Sequence, residues 1–162
     1  MQHIDTDEVE PMAMGGEELD RRGLSEPLGT TDFAMNYYAL DPGEGFSGGL
    51  HTHLDQEEVF YVLEGTATFE TKPEATADSE TVDVGAGEAV RFAPGEFQQG
   101  RNESDDTVRA LALGAPKDST EGRIPQPCPE CGDSDVLALA QGDDGGMVLE
   151  CPECGATMQP EM

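Results

Sequence analysis

The chain has 162 residues, with 35 acidic side chains against 8 basic ones and 36% apolar positions. That length holds one ordinary domain, or a small domain with a minimal appendix. A formal charge of −27 argues against nucleic acid as a partner, because such a surface repels phosphate instead of releasing its counterions, and purely apolar runs of at most five residues argue against a membrane span.

Met1 to Glu10 carries no basic start and no apolar stretch, so the expectation is a cytoplasmic chain without a secretory leader. The acids are spread along the chain and interleaved with strand-like runs, while lysine occurs only at Lys72 and Lys117 and arginine at six positions. Dispersed acids with a folded pattern between them fit a protein of a salt-rich cytoplasm, as in a halophilic archaeon, better than a disordered one. At 1 M salt the screening length falls to about 3 Å, and neighbouring surface carboxylates hardly repel one another.

In chain order, residues 1–22 show many acids and no periodicity, which predicts a flexible acidic arm. Residues 23–114 form the next unit, with a β pattern from Asp32 to Leu113. Phe33, Met35, Tyr37 and Ala39 alternate on one strand face, ended by Asp41-Pro42-Gly43. Val59 to Thr71 is β-branched and aromatic around Gly65; Thr81–Val84 and Glu88–Phe92 flank Gly85-Ala86-Gly87; Val108–Leu113 closes the series. No stretch has helical periodicity, so the fold class is all-β, an antiparallel sandwich or barrel. Residues 115–126, polar and proline-bearing, read as a linker, and residues 127–162 form a second unit.

That unit holds all four cysteines, as Cys128-Pro-Glu-Cys131-Gly and Cys151-Pro-Glu-Cys154-Gly with 19 residues between the pairs. Two such turns present two thiolates each, which suits tetrahedral Zn2+ in a closed, structural site. The unit resembles a zinc ribbon, with Val136–Ala140 and Met147–Glu150 as strands joined across Gly142 to Gly146. Many zinc ribbons contact nucleic acid or transcription machinery. This one carries eight acids and no Lys or Arg, so a protein partner, or plain folding stability, is the better expectation.

His51 and His53 are two apart and share a strand face, whereas Glu58 follows at the wrong parity, so a kink within Leu54-Asp55-Gln56-Glu57 is required to bring it round. Two imidazoles and a carboxylate on one point suit Fe(II) and similar divalent metals. Glu57, of opposite parity to Glu58, is assigned to the surface. Tyr37, Tyr61, Phe69, Phe92 and Phe97 are cavity candidates whose commoner fate is core. Val59 to Leu63 is apolar on both faces, which calls for a cover: a second subunit, or the segment Gly23–Thr31.

Gly45-x5-His51-x-His53-x4-Glu58-x6-Gly65 is similar to the first motif of the cupins in every position and gap. Gly87-x5-Ala93-x-Gly95-x2-Gln98-x3-Asn102 follows the second in outline, with Gln98 where the family has its last metal-binding histidine. The resemblance implies a jelly-roll barrel with a divalent transition metal (Fe, Mn, Ni, Co, Cu or Zn) in its mouth, held by His51, His53 and Glu58. Gln98 could ligate, hydrogen-bond a metal-bound water or merely line the pocket, and Gln99 would substitute if a bulge shifted the register. Two functions are open: an oxygenase- or isomerase-like enzyme on a small organic molecule, with Glu58 as ligand or base, and a small-ligand or metal sensor whose ribbon docks a protein. The resemblance also implies a homodimer.

Overall fold

The structure is a computed structural model that describes residues 1–12, 19–142 and 146–160. Among the described residues, thirteen strands and one α-helical turn follow in order: β1 (Asp20–Gly23), α1 (Ser25–Leu28), β2 (Ala34–Leu40), β3 (Thr52–His53), β4 (Glu57–Glu64), β5 (Thr66–Lys72), β6 (Glu80–Gly85), β7 (Ala89–Phe92), β8 (Phe97–Arg101), β9 (Val108–Ala115), β10 (Gly122–Ile124), β11 (Leu137–Gln141), β12 (Met147–Glu150) and β13 (Thr157–Met158). All their pairings are antiparallel. One barrel wall is β1-β2-β9-β4-β7, the other β6-β5-β8, and a third sheet runs β13-β12-β11-β10-β3. This is the all-β antiparallel barrel expected from the turn spacing, in the jelly-roll form that the motif resemblance implied, followed by a small cysteine-bearing module.

The chain crosses between walls at Gly65. Its φ is +78°, and a Cβ there would lie 2.9 Å from the Thr107 carbonyl, so the run from Val59 to Thr71 becomes two strands in different sheets. Between the walls lies a cluster of rings: Phe46, Phe60, Phe69 and Phe92 have centroid separations of 5.0 to 6.1 Å. Gly100 of β8 makes room for them, since a Cβ on it would sit 2.4 Å from a Phe69 ring carbon and 2.6 Å from one of Phe46.

Three local expectations change. The inward face of β2 carries Tyr38 and Leu40, both buried, whereas Met35, Tyr37 and Ala39 face outward and Phe33 is exposed. Both faces of that strand are rich in apolar residues, so alternation alone does not tell which one turns inward. A helical turn does exist, but at four residues α1 is too short to show a period. The segment read as an acidic arm holds the first three residues of β1, and Arg22 gathers its start to that strand, donating to the Thr6 carbonyl (2.7 Å) and pairing with Asp20 (2.7 Å). The pairing of β1 with β2 and the packing of Leu19 on the core hold it to the barrel, and four residues of strand are too few for periodicity to reveal. Residues 13–18 of that segment lie outside the described residues.

The segment read as a linker contains β10, which pairs with β3 on one edge and β11 on the other. A three-residue strand between Pro116 and Pro125 leaves almost no pattern in sequence. Of the predicted turn from Gly142 to Gly146, residues 143–145 lie outside the described residues, while the Gly142 N–H bonds the Gly146 carbonyl (2.7 Å). Among the described residues no helix is long and apolar enough to cross a membrane.

Candidate metal centre

Among the described residues, two groups of side chains could each hold a metal ion: His51, His53 and Glu58 in the barrel, and the four cysteines beyond it. The barrel group is built by three elements. Thr52–His53 is β3, residues 54–56 break the strand, and β4 starts at Glu57, which is the kink that parity requires. Inward-facing Phe60 and Val62 are buried below Glu58 on the same face of β4. His51 is fixed by a bridge to Gln98, its N–H donating to the Gln98 carbonyl (3.1 Å) and its carbonyl accepting from the Gln98 N–H (2.8 Å).

Hydrogen bonds set both imidazoles to the same tautomer. His51 Nδ1 lies 2.9 Å from the Gly49 carbonyl, which can only accept, so Nδ1 carries the proton and Nε2 keeps its lone pair. His53 Nδ1 lies 2.8 Å from the Ser119 hydroxyl, whose own proton goes to Asp55 Oδ1 at 2.6 Å. His53 Nε2 is therefore also a free donor atom, 4.0 Å from Glu58 Oε1. Burial holds the His53 imidazole below its usual range, against the opposing pull of Glu58, so the ring stays neutral near pH 7. Ser119 and then the Thr120 N–H hold Asp55 below the usual carboxylate range, leaving it ionised and accepting.

Gln98 completes the group. It is 1% exposed; its Nε2 donates to Glu58 Oε2 (2.8 Å) and lies 3.3 Å from His51 Nε2, while its Oε1 is buried with no partner among the described residues. Two donors about 2.1 Å from one ion stand at most about 4.2 Å apart, and the three ligand atoms lie within 4.8 Å of one another. Small side-chain shifts therefore suffice to close them on an ion. A half-turn of the Gln98 amide would present its orphaned oxygen to that ion. The residues fit a divalent metal.

Gln99 does not substitute for Gln98. β8 pairs in register with β5 without a bulge, and Gln99 faces the opposite way, with its amide turned so that the oxygen accepts from Arg101 Nη2 at 2.8 Å. Glu57 lies on the surface, accepting from Arg91 Nε at 2.6 Å. Of the aromatic candidates, Phe69, Phe92 and Phe97 are buried, while Tyr37 and Tyr61 lie on the outer wall. Asn102 is structural: its Nδ2 donates to the carbonyls of Leu40 (2.9 Å) and Asp106 (2.8 Å). Sequence reasoning missed Ser119 and Asp55, which lie 64 residues apart and carry no motif.

The four cysteine sulfurs lie within 4.8 Å of one another, and two opposite edges have the length of a closed tetrahedron. Cys128 Sγ to Cys154 Sγ and Cys131 Sγ to Cys151 Sγ are both 3.8 Å, the edge about 3.8 Å expected for four thiolates at about 2.3 Å from Zn2+. The two turns repeat each other: Gly132 N–H bonds the Cys128 carbonyl (3.0 Å) and Gly155 N–H the Cys151 carbonyl (2.9 Å). Backbone N–H groups, Cys131 first, lower the Cys128 thiol to about 6. For Cys154 the Ala156 N–H acts downward, but burial and the neighbouring sulfurs outweigh it and push the thiol up to about 12. Four thiolates are thus mutually unfavourable until a cation joins them.

Residues 36–114 match the Cupin domain family. No curated protein sequence matches the chain. Among solved structures, the fold is similar to that of a sugar phosphate isomerase from a cupin superfamily in Silicibacter pomeroyi, at 18% identity over 97% of this chain and 92% of that one, TM-score 0.62. It is also similar to the oxalate decarboxylase of Bacillus subtilis, at 18% identity over 72% of this chain and 30% of that one, TM-score 0.55. A Bacillus halodurans protein matches at 17% identity and TM-score 0.50, with 54% of this chain covered and 65% of that one. At these identities the likeness is one of fold.

Proposed function

Starting from a cupin domain at residues 36–114, we propose that the barrel binds a divalent first-row metal through His51, His53 and Glu58, with Gln98 beside it, and acts on a small oxygen-bearing organic molecule. The observation that carries this reading is the pair of Nδ1 hydrogen bonds, to Gly49 and Ser119, which turn two Nε2 lone pairs toward one carboxylate. When bound, the metal supplies Lewis-acid polarisation of a substrate oxygen. The chain's own part is to orient: the Gln98 amide holds Glu58 Oε2 in place and can hand a hydrogen bond to a bound oxygen, and the ring cluster below keeps the floor of the site apolar. An isomerase-like reaction is favoured, in keeping with the sugar phosphate isomerase of Silicibacter pomeroyi whose fold it shares.

Metal analysis tests this directly. Protein prepared in molar salt is expected to hold two ions per chain, one for each group of ligands. His51→Ala combined with His53→Ala should remove one and leave the other, a Zn2+ on the four cysteines. A double variant that keeps both ions would rule out the barrel site. The sensor reading draws on a different observation, the pairing of β10 with both β3 and β11, which gives the module a direct path to the site strand; uptake of metal without turnover of any oxygen-bearing substrate would favour it.

The acidic surface we assign to a salt-rich, cytoplasmic setting, and the outer wall to a homodimer. Tyr61 and Leu63 are 39% and 45% exposed on that wall, between the Arg91–Glu57 and Arg109–Glu64 ion pairs, so a second copy would meet the patch with complementary charges at its rim. Sedimentation and circular dichroism from 2 M to 0.1 M salt should show a dimer that loses mass and then strand signal, as the screening length grows from about 3 Å or less to about 10 Å. A folded monomer throughout would sink both assignments.

A further inference from the structure

His53 is held from outside the barrel. Its Nδ1 partner Ser119 lies 66 residues further along the chain, in the segment that leads to the cysteine module. That segment is stitched to the stretch from Thr52 to Gln56 by four hydrogen bonds and a short strand pairing. Gln56 Nε2 donates to the Pro116 carbonyl (2.7 Å), Ser119 Oγ and Thr120 N donate to the two oxygens of Asp55 (2.6 and 2.9 Å), Leu54 N donates to the Glu121 carbonyl (3.0 Å), and Gly122 and Arg123 pair with His53 and Thr52. The other edge of β10 pairs with β11, placing Arg123 opposite Ala138 and Ile124 opposite Leu137. Leu137 is fully buried beside Cys128 and Cys151, with Ile124 packed against that cluster.

The geometry points to Ser119 as the positioning residue of His53, and we infer that the cysteine module, by gripping β10, keeps it there, so that an ion on the four cysteines tightens metal binding in the barrel. This rests on the reading of His51, His53 and Glu58 as a metal site. The chemistry is local: a ring that loses its Nδ1 acceptor can rotate or carry its proton on Nε2, and either change removes the lone pair that faces Glu58. The dependence on the module follows from chain connection, because β10 is three residues long, pairs with β11 along its outer edge and packs Ile124 against the module's core. By reciprocity, metal in the barrel must also tighten the grip on β10 and the ion beyond it.

The test uses the full chain in molar salt with the cysteines loaded with zinc, titrated with Co2+ and read by its visible absorption, alongside nitrogen NMR of the histidine rings before metal is added. In the wild type, Co2+ uptake should depend on His51, and His53 should carry its proton on Nδ1. Ser119→Ala should weaken Co2+ binding roughly 10- to 100-fold, the usual loss for a removed outer partner, and should shift the His53 ring signals away from the Nδ1–H form. Ser119→Thr keeps the hydroxyl and should return binding to within a few-fold of wild type. Cys151→Ser with Cys154→Ser should weaken the barrel roughly 10-fold with the β4 and β9 amides unmoved. Equal affinity and unchanged ring signals in Ser119→Ala would overturn the positioning role, and so would a Ser119→Thr as weak as Ser119→Ala. Wild-type barrel affinity in the cysteine variant would overturn the role of the module. These failures are distinct from a wild type that takes up no His51-dependent Co2+, which overturns the metal site itself and this inference with it.

Discussion

Chelating the ion from the four cysteines is expected to unfold the module while the barrel walls stay paired. The module's core consists of Leu137, Leu149, Cys128 and Cys151, with a few half-buried neighbours. A unit of fewer than about 40 residues rarely buries enough surface to fold without a metal or disulfide, and no disulfide joins the four cysteines. A structural Zn2+ contributes on the order of 10–16 kcal/mol in small zinc domains, far more than two leucines, at about 1.5–3 kcal/mol each, can replace. Amide NMR with and without chelator measures it. Signals from Leu137, Leu149 and Met158 should collapse, and those of Phe60, Val62 and Phe69 should persist. Protected Leu137 and Leu149 amides after metal removal would show a module that stands on packing alone.

Gly100→Ala is the substitution expected to cost the barrel most. The added Cβ would meet ring carbons of Phe69 at 2.4 Å and of Phe46 at 2.6 Å, and neither ring has room to retreat, being 0% and 4% exposed within a cluster of four. Overpacking of this kind costs about 3 kcal/mol, which for a chain of this length lowers the melting temperature by roughly 6–12 °C. Gly48→Ala is the matching control: nothing lies within 4 Å of its Cβ, and its effect should stay within about 0.5 kcal/mol. Denaturant unfolding in molar salt distinguishes the two. Gly100 shares a face of β8 with Gln98, so the same variant should also bind barrel metal less tightly. A Gly100→Ala chain as stable as wild type would mean that the ring cluster is looser than its spacing implies.

The sequence was most legible where function constrains spacing. The gaps from Gly45 to Gly65 carried the motif, and the mismatch of parity between His53 and Glu58 already demanded the break that separates β3 from β4. It was least legible where one residue decides a contact across the chain. Nothing near Ser119 or Asp55 hints at their meeting, because a hydrogen bond between residues 64 apart leaves no period. The side of β2 that faces inward could not be read from a strand with apolar residues on both faces. Gln98 was identifiable as a departure, but which end of its amide faces Glu58 is a matter of rotamer and partners, not of residue type.

The pairing of β3 with β10 bears on how this protein can be divided. On composition alone, a cut after residue 114 would release a complete barrel. It would instead strip β3 of its outer partner and leave backbone N–H and C=O groups of Thr52 and His53 open to the solvent. An uncovered strand edge invites another chain to pair with it. The piece obtained would be prone to self-association, and its histidines would be judged in surroundings the intact chain never gives them. The smallest faithful fragment of the barrel ends after Ile124, and even that fragment carries one half of a sheet whose other half has been removed.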